Sequence, residues 1–252
     1  MSSLVIFWPA YGMVWVGTVL WVGHGLWPRR RLALAPFARW SGGVAMVLLL
    51  VALGWHGYQA GRWPLFSPFE QLNLSLCALL LMSWGMVSPR LDGRLALALS
   101  VLASALAAGA LRMAGAAAPT IRAPAAGWWA ASVILNDLGA AAMVVAGLAW
   151  LLAQRPADGW AKRALSARQA LSWGVLAAAV GLACGVWWFQ RLQGRYWGDN
   201  RWAVVLIAGL VSGAVWQASG MWQARGWRSA AIGLLLTVAG GCVLWGVGGG
   251  VW

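Results

Sequence analysis

Acidic residues are nearly missing from this chain. Only Glu70, Asp92, Asp137, Asp158 and Asp199 occur in 252 residues. Charged residues of both signs make up 9% of the sequence, against about a quarter in a soluble domain. So little polar surface cannot cover a water-soluble globule, which excludes a cytosolic enzyme, a secreted disulfide scaffold and a disordered chain. Histidine is equally scarce, with His24 and His56 alone. Two histidines leave no plausible Ser/His/Asp set, and Walker A, HExxH and GxSxG patterns are all lacking. The three cysteines, Cys77, Cys184 and Cys242, fall in separate apolar segments without a CxxC, so neither a redox pair nor a zinc knuckle is indicated.

What is present is hydrophobic: 62% of the residues, with a mean hydropathy of +0.73. Eight stretches are long enough, at about 20 residues, to cross a hydrocarbon core of about 30 Å. They run roughly over 4–27, 41–60, 71–87, 95–111, 128–152, 171–192, 202–222 and 229–251. Many are apolar all round, which excludes the alternation of a membrane barrel. The expected fold is an all-α polytopic membrane protein: one integral-membrane domain of about eight transmembrane helices. The segments 112–127 and 154–169 are read as its longest non-helical pieces. The first stretch lacks a basic leading region and a small-residue cleavage site, so it reads as a retained span.

The net charge of +13 does not point to nucleic acid, because the basic residues are scattered between apolar stretches. Twelve of the eighteen Lys and Arg residues lie in the loops after spans 1, 3, 5 and 7. The positive-inside rule then places both termini outside, in a bacterial inner membrane or its equivalent. Many of the 22 tryptophans sit at span ends, as an aromatic belt does. Trp187, Trp188 and Trp197 instead crowd one outer helix end and its loop, where flat rings could form a platform for a planar ligand. The 33 glycines and runs such as Ala103–Ala110 let helices approach closely.

Few residues could carry chemistry. Asp137, beside Asn136, lies well inside span 5, where a carboxylate must be paired, protonated or used as a proton, ion or ligand site. His56, in the outer third of span 2, could ligate haem iron or simply hydrogen-bond to a backbone carbonyl. His24 reads as interfacial, at the opposite depth from His56. Glu70 follows two prolines and is placed to accept from backbone amides at the start of span 3. The outer loop 193–202 mixes aromatic rings with Arg195, Asp199 and Arg201, and arginine pairs readily with carboxylates such as haem propionates.

The order of these pieces resembles the cytochrome c assembly protein family, in its CcsA-type synthetase component and its shorter YpjD- and HemX-like relatives. His56 with Tyr58 closes span 2 as in the short relatives. Pro64-Leu65-Phe66-Ser67-Pro68-Phe69-Glu70-Gln71-Leu72 looks like that family's P-L-x-N-x-Y-E-S-L. Span 6, from Gly181 through Gly185 and Trp188 to Gly194-Arg195-Tyr196-Trp197, keeps the family's register, and Asp199 with Trp202 resembles a shortened W-D-P-K-E-T-W. The resemblance covers about residues 41 to 250. It implies haem handling at the outer face, with Trp187, Trp188, Trp197 and Trp202 against the ring, Arg195 and Arg201 on the propionates beside Asp199, and His56 as one axial ligand.

The departures matter. Asn136 or Asp137 stands where the family has a histidine in span 5, and Trp216 or Gln217 where it has another. No outer histidine follows near 247–252. A family-type bis-histidine site cannot be built from this chain alone. Two main expectations follow, neither of them catalysis by the chain on its own. One is a haem-handling component of cytochrome c maturation. The other is a non-catalytic scaffold or anchor subunit, in contact with lipid and with other membrane or periplasmic proteins, cytochromes among them. A transporter using Asp137 ranks below both, since no inverted repeat is evident.

Overall fold

The computed structural model describes residues 2–26, 31–61, 67–86, 93–114, 126–153, 160–193, 201–218 and 227–248. These are helical apart from short turns. A 3-10 turn, Ser2–Phe7, leads into α1 (Trp8–Leu26), and α2 (Arg31–Ala60), α3 (Pro68–Met86), α4 (Gly93–Arg112), α5 (Ala126–Ala153), α6 (Trp160–Gln193), α7 (Arg201–Ala218) and α8 (Trp227–Gly248) follow. Among the described residues, five spans are long and apolar enough to cross a membrane: Leu4–Leu26, Leu34–Ala60, Gly93–Arg112, Ala130–Leu152 and Ala167–Trp187. Shorter apolar helical runs cover Val204–Val215 and Ala230–Trp245.

Two expectations on boundaries need correction. Helix α6 begins at Trp160, so most of the segment read as a loop up to residue 169 is helical. Its Lys162, Arg163 and Arg168 lower the local hydropathy without breaking the helix, since Lys and Arg are good helix formers. Helix α2 begins ten residues earlier than expected, and Pro36 lies within it. As the sixth residue of α2 it forgoes the one bond an amide hydrogen there would make to the Leu32 carbonyl, a loss confined to the second turn of the helix.

The chain divides into two compact units, Met1–Ala117 and Ala118–Trp252. In the first, α1 packs on α2 and α4, and α3 packs on α2 and α4. Thr18 of α1 lies 2.9 Å from the Ser104 hydroxyl and donates to the Ser100 carbonyl at 3.1 Å, pinning α1 to α4. The polarity of α3 is inverted relative to its neighbours. Every residue from Phe69 to Leu80 is buried, including Glu70, Gln71, Asn73 and Ser75. Meanwhile α1 and α2 expose Val16, Val19, Val47, Leu50 and Val51. An apolar outer surface around a polar-ended inner helix suits a hydrocarbon solvent and not water.

In the second unit α5 is the central helix, packed on α6 and α8 and, more lightly, on α7. Ala140–Ala146 is buried throughout. The packing depends on glycine. A methyl group on Gly139 would sit 2.6 Å from Ala178 Cβ, and one on Gly240 would sit 2.6 Å from the Ala140 carbonyl oxygen. Small residues bring helix backbones together where lipid supplies no hydrophobic drive for association.

Candidate functional site

The polar corner of the first unit is built on the sequence Ser67-Pro68-Phe69-Glu70. Ser67 is the N-cap of α3 and Pro68 its first residue, a position where the missing amide hydrogen is not needed. The Glu70 amide donates to Ser67 Oγ at 3.2 Å, and the Ser67 amide donates to Glu70 Oε2 at 2.8 Å. This reciprocal capping box satisfies two amides that the helix leaves without partners. It also directs a fully buried carboxylate back over the start of the helix, where the macrodipole favours negative charge. The capping role expected of Glu70 is thus present.

The corner closes through α2. That helix ends at Gly61, whose φ of +61° is a left-handed terminator conformation, with its amide donating to the Tyr58 carbonyl at 3.1 Å. In its last turns His56 brings Nε2 to 3.3 Å from Glu70 Oε1. The histidine therefore meets a carboxylate and not the backbone carbonyl considered above. Phe7 and Phe69 each place a ring centroid 6.1 Å from the imidazole, edge to face, and lie 4.8 Å from one another.

One turn further along α3, the Tyr11 hydroxyl donates to Asn73 Oδ1 at 2.7 Å, and Asn73 Nδ2 donates to the Phe69 carbonyl at 2.8 Å. Tyr11 and Asn73 are both fully buried. This chain links α1 to α3 across 62 residues of sequence. Sequence reasoning did not single out Tyr11, Asn73, Phe7 or Phe69. The polar residues of α3 were the one available signal, because an amide in an apolar span requires a partner on another helix.

An axial haem ligand must present a ring nitrogen to open volume. His56 does not fit that role. Its Nε2 is directed at Glu70, and its Nδ1 is buried without a hydrogen-bond partner among the described residues. The two phenylalanine rings crowd the imidazole. His24 is no help to it. It packs on Trp21, with ring centroids 5.2 Å apart, and over Gly93 at the start of α4. Phe7 immediately precedes α1 and His24 lies in its last turn, so at helical rise the two histidines are about 25 Å apart. No group of three His, Cys, Asp or Glu among the described residues could hold a metal ion.

The other candidates lie in the second unit. Asp137 is fully buried and Asn136 nearly so, with Asn136 on the face of α5 that meets α6. Asn136 Nδ2 donates to Ser132 Oγ one turn back, at 3.3 Å. Its Oδ1 lies 2.6 Å from where a side chain on Gly181 would begin. Trp187, at the far end of α6, is 48% exposed; its ring lies 6.4 Å from that of Trp128, 52% exposed, at an interplanar angle of 55°. Arg195, Trp197 and Asp199 lie outside the described residues. So do the side chains of Trp188, Arg201 and Trp202, whose backbones belong to α6 and α7. The structure thus joins His56 to Glu70, keeps Asn136 beside Asp137 on α5, and gives Trp187 an aromatic neighbour in Trp128.

No protein-family model matches the chain, and neither a curated protein nor a solved structure matches it.

Proposed function

We propose that this chain is a non-catalytic membrane subunit, an anchor or scaffold on the plan of the cytochrome c assembly proteins, with His56 serving structure and not iron. Its frame is eight transmembrane helices with both termini outside and the arginine-rich loops in the cytoplasm, in a bacterial inner membrane or its equivalent. The observation that carries this reading is the His56–Glu70 contact within the α3 capping box. A histidine facing a buried carboxylate and packed edge-on against a pair of phenylalanines stabilises a helix junction and is poorly placed for ligand exchange. The outward valines and leucines of α1 and α2 supply the lipid-facing surface that such an anchor needs. Its partners would be other membrane or periplasmic proteins, cytochromes among them. Purification in a mild detergent tests this: the reading expects partners in fixed stoichiometry, and a lone monomer from native membranes counts against it.

A second reading is favoured by the exposed Trp128–Trp187 pair. In it the chain presents haem at its outer face as cargo, held by stacking without an axial ligand from His56. Arg195 and Arg201, with Trp197 and Trp202, would complete the surface. A pyridine haemochrome assay separates the two. Haem that is lost on Trp187→Ala and kept on His56→Ala supports cargo binding; haem at background level in the wild type removes it.

A further inference from the structure

We propose that a cleft among α1, α2, α3 and α4, at the end of the unit opposite His56, binds one anionic phospholipid through Arg39. The cleft has a volume of about 60 Å³. Val14, Trp21 and Ala103 in its wall are buried, whereas Trp84 is exposed and Arg39 half-buried, which puts these two at its mouth. Seven residues of α1 separate Val14 from Trp21, so the cleft extends about 10 Å along the bundle. Its lining is mainly apolar, and its one charged side chain among the described residues is Arg39.

Arg39 is held firmly. Its Nη2 donates to the Trp84 carbonyl at 2.9 Å, in the last turn of α3, where carbonyls lack helical partners. Its guanidinium lies 5.1 Å from the Trp84 ring centroid, and that ring rests on Gly43. One capping bond uses a single donor of the five a guanidinium carries. The Nε donor is buried and has no hydrogen-bond partner among the described residues. A fixed cation with spare donors at the mouth of a cleft matches a phosphate oxygen. The apolar walls behind it choose between a free anion and a lipid. The cleft is poor lodging for water, since its walls offer few hydrogen bonds, and its small volume suits a short stretch of acyl-chain methylene groups next to a headgroup held at Arg39. Arg39 then selects the headgroup attached to that chain, as basic pockets between membrane helices do.

The test is native mass spectrometry of the purified full chain, titrated with palmitoyl-oleoyl phosphatidylglycerol or with phosphatidylcholine of the same chains. The wild type should bind one phosphatidylglycerol about fivefold more tightly than phosphatidylcholine, the preference one basic residue confers. Arg39→Gln should bring that preference close to unity. Gly42→Leu leaves Arg39 in place and fills the cleft, because Gly42 lines it and a Cβ there meets nothing closer than Leu80, at 3.9 Å. It should weaken phosphatidylglycerol binding to a similar extent. Equal binding of the two lipids by the wild type overturns the proposal. So does a folded Gly42→Leu variant with undiminished affinity, or displacement of the lipid by inorganic phosphate alone, which would mark a soluble-anion site.

Discussion

Replacing Glu70 tests the corner most severely, because one carboxylate serves two partners there. Glu70→Ala removes the acceptor of the Ser67 amide and the oxygen facing His56 in a single step. A hydrogen bond to a charged group contributes about 1.5–3 kcal/mol, and the Ser67 amide, left without its acceptor in a buried site, adds to the loss. We expect about 2–4 kcal/mol of destabilisation. Glu70→Gln keeps an oxygen for the Ser67 amide while discarding the charge, and should cost about 1 kcal/mol. Ser67→Ala removes the reciprocal bond and should also cost about 1 kcal/mol. The assay is reversible unfolding in mixed micelles by titration with dodecyl sulfate, followed by circular dichroism. A double-mutant cycle between His56→Ala and Glu70→Gln should show coupling of about 1 kcal/mol, as expected for residues in contact. If every single variant lies within about 0.5 kcal/mol of the wild type, and the pair is additive, the corner does not hold α2 to α3 and the reasoning fails.

Three further outcomes follow from the packing. Tyr11→Phe breaks the α1–α3 hydrogen bond and should cost about 1 kcal/mol in the same assay, in line with polar contacts inside membrane bundles. Gly147→Ala should cost about 1–3 kcal/mol by overpacking, since its methyl group would collide with the Thr237 hydroxyl and lie 2.6 Å from the Gly233 carbonyl, forcing α5 from α8. For orientation, single cysteines at Leu26 and Gln59, on a background lacking Cys77, Cys184 and Cys242, should react with an impermeant maleimide from opposite sides of the membrane, Gln59 from outside. Labelling of both from one side would contradict the crossing of α1 and α2.

The sequence made most of the helices legible because long apolar runs admit no other backbone in lipid. It also marked the start of α3 to within three residues, since two prolines interrupt the chain ahead of Glu70, while the cap supplied by Ser67 emerged only with the structure. The first turns of α6 were hidden because hydropathy fell at Lys162, Arg163 and Arg168 while helix propensity did not. The corner itself was only half visible. His56 and Glu70 each stood out alone, but 14 residues and two prolines separate them, and their contact depends on how α2 stops at Gly61. Tyr11 and Asn73, 62 residues apart, carried no local sign of pairing. Close approaches such as Gly181 against Asn136 are likewise set by tertiary packing, and glycine in a membrane helix is too common to reveal its partner.

The visible absorption spectrum of the purified protein, recorded beside that of His56→Ala, bears most directly on the claim that His56 is a structural residue. We expect the two spectra to coincide, with no histidine-ligated, low-spin haem signature in either. Stoichiometric haem in the wild type whose sharp α band disappears in His56→Ala would contradict the account.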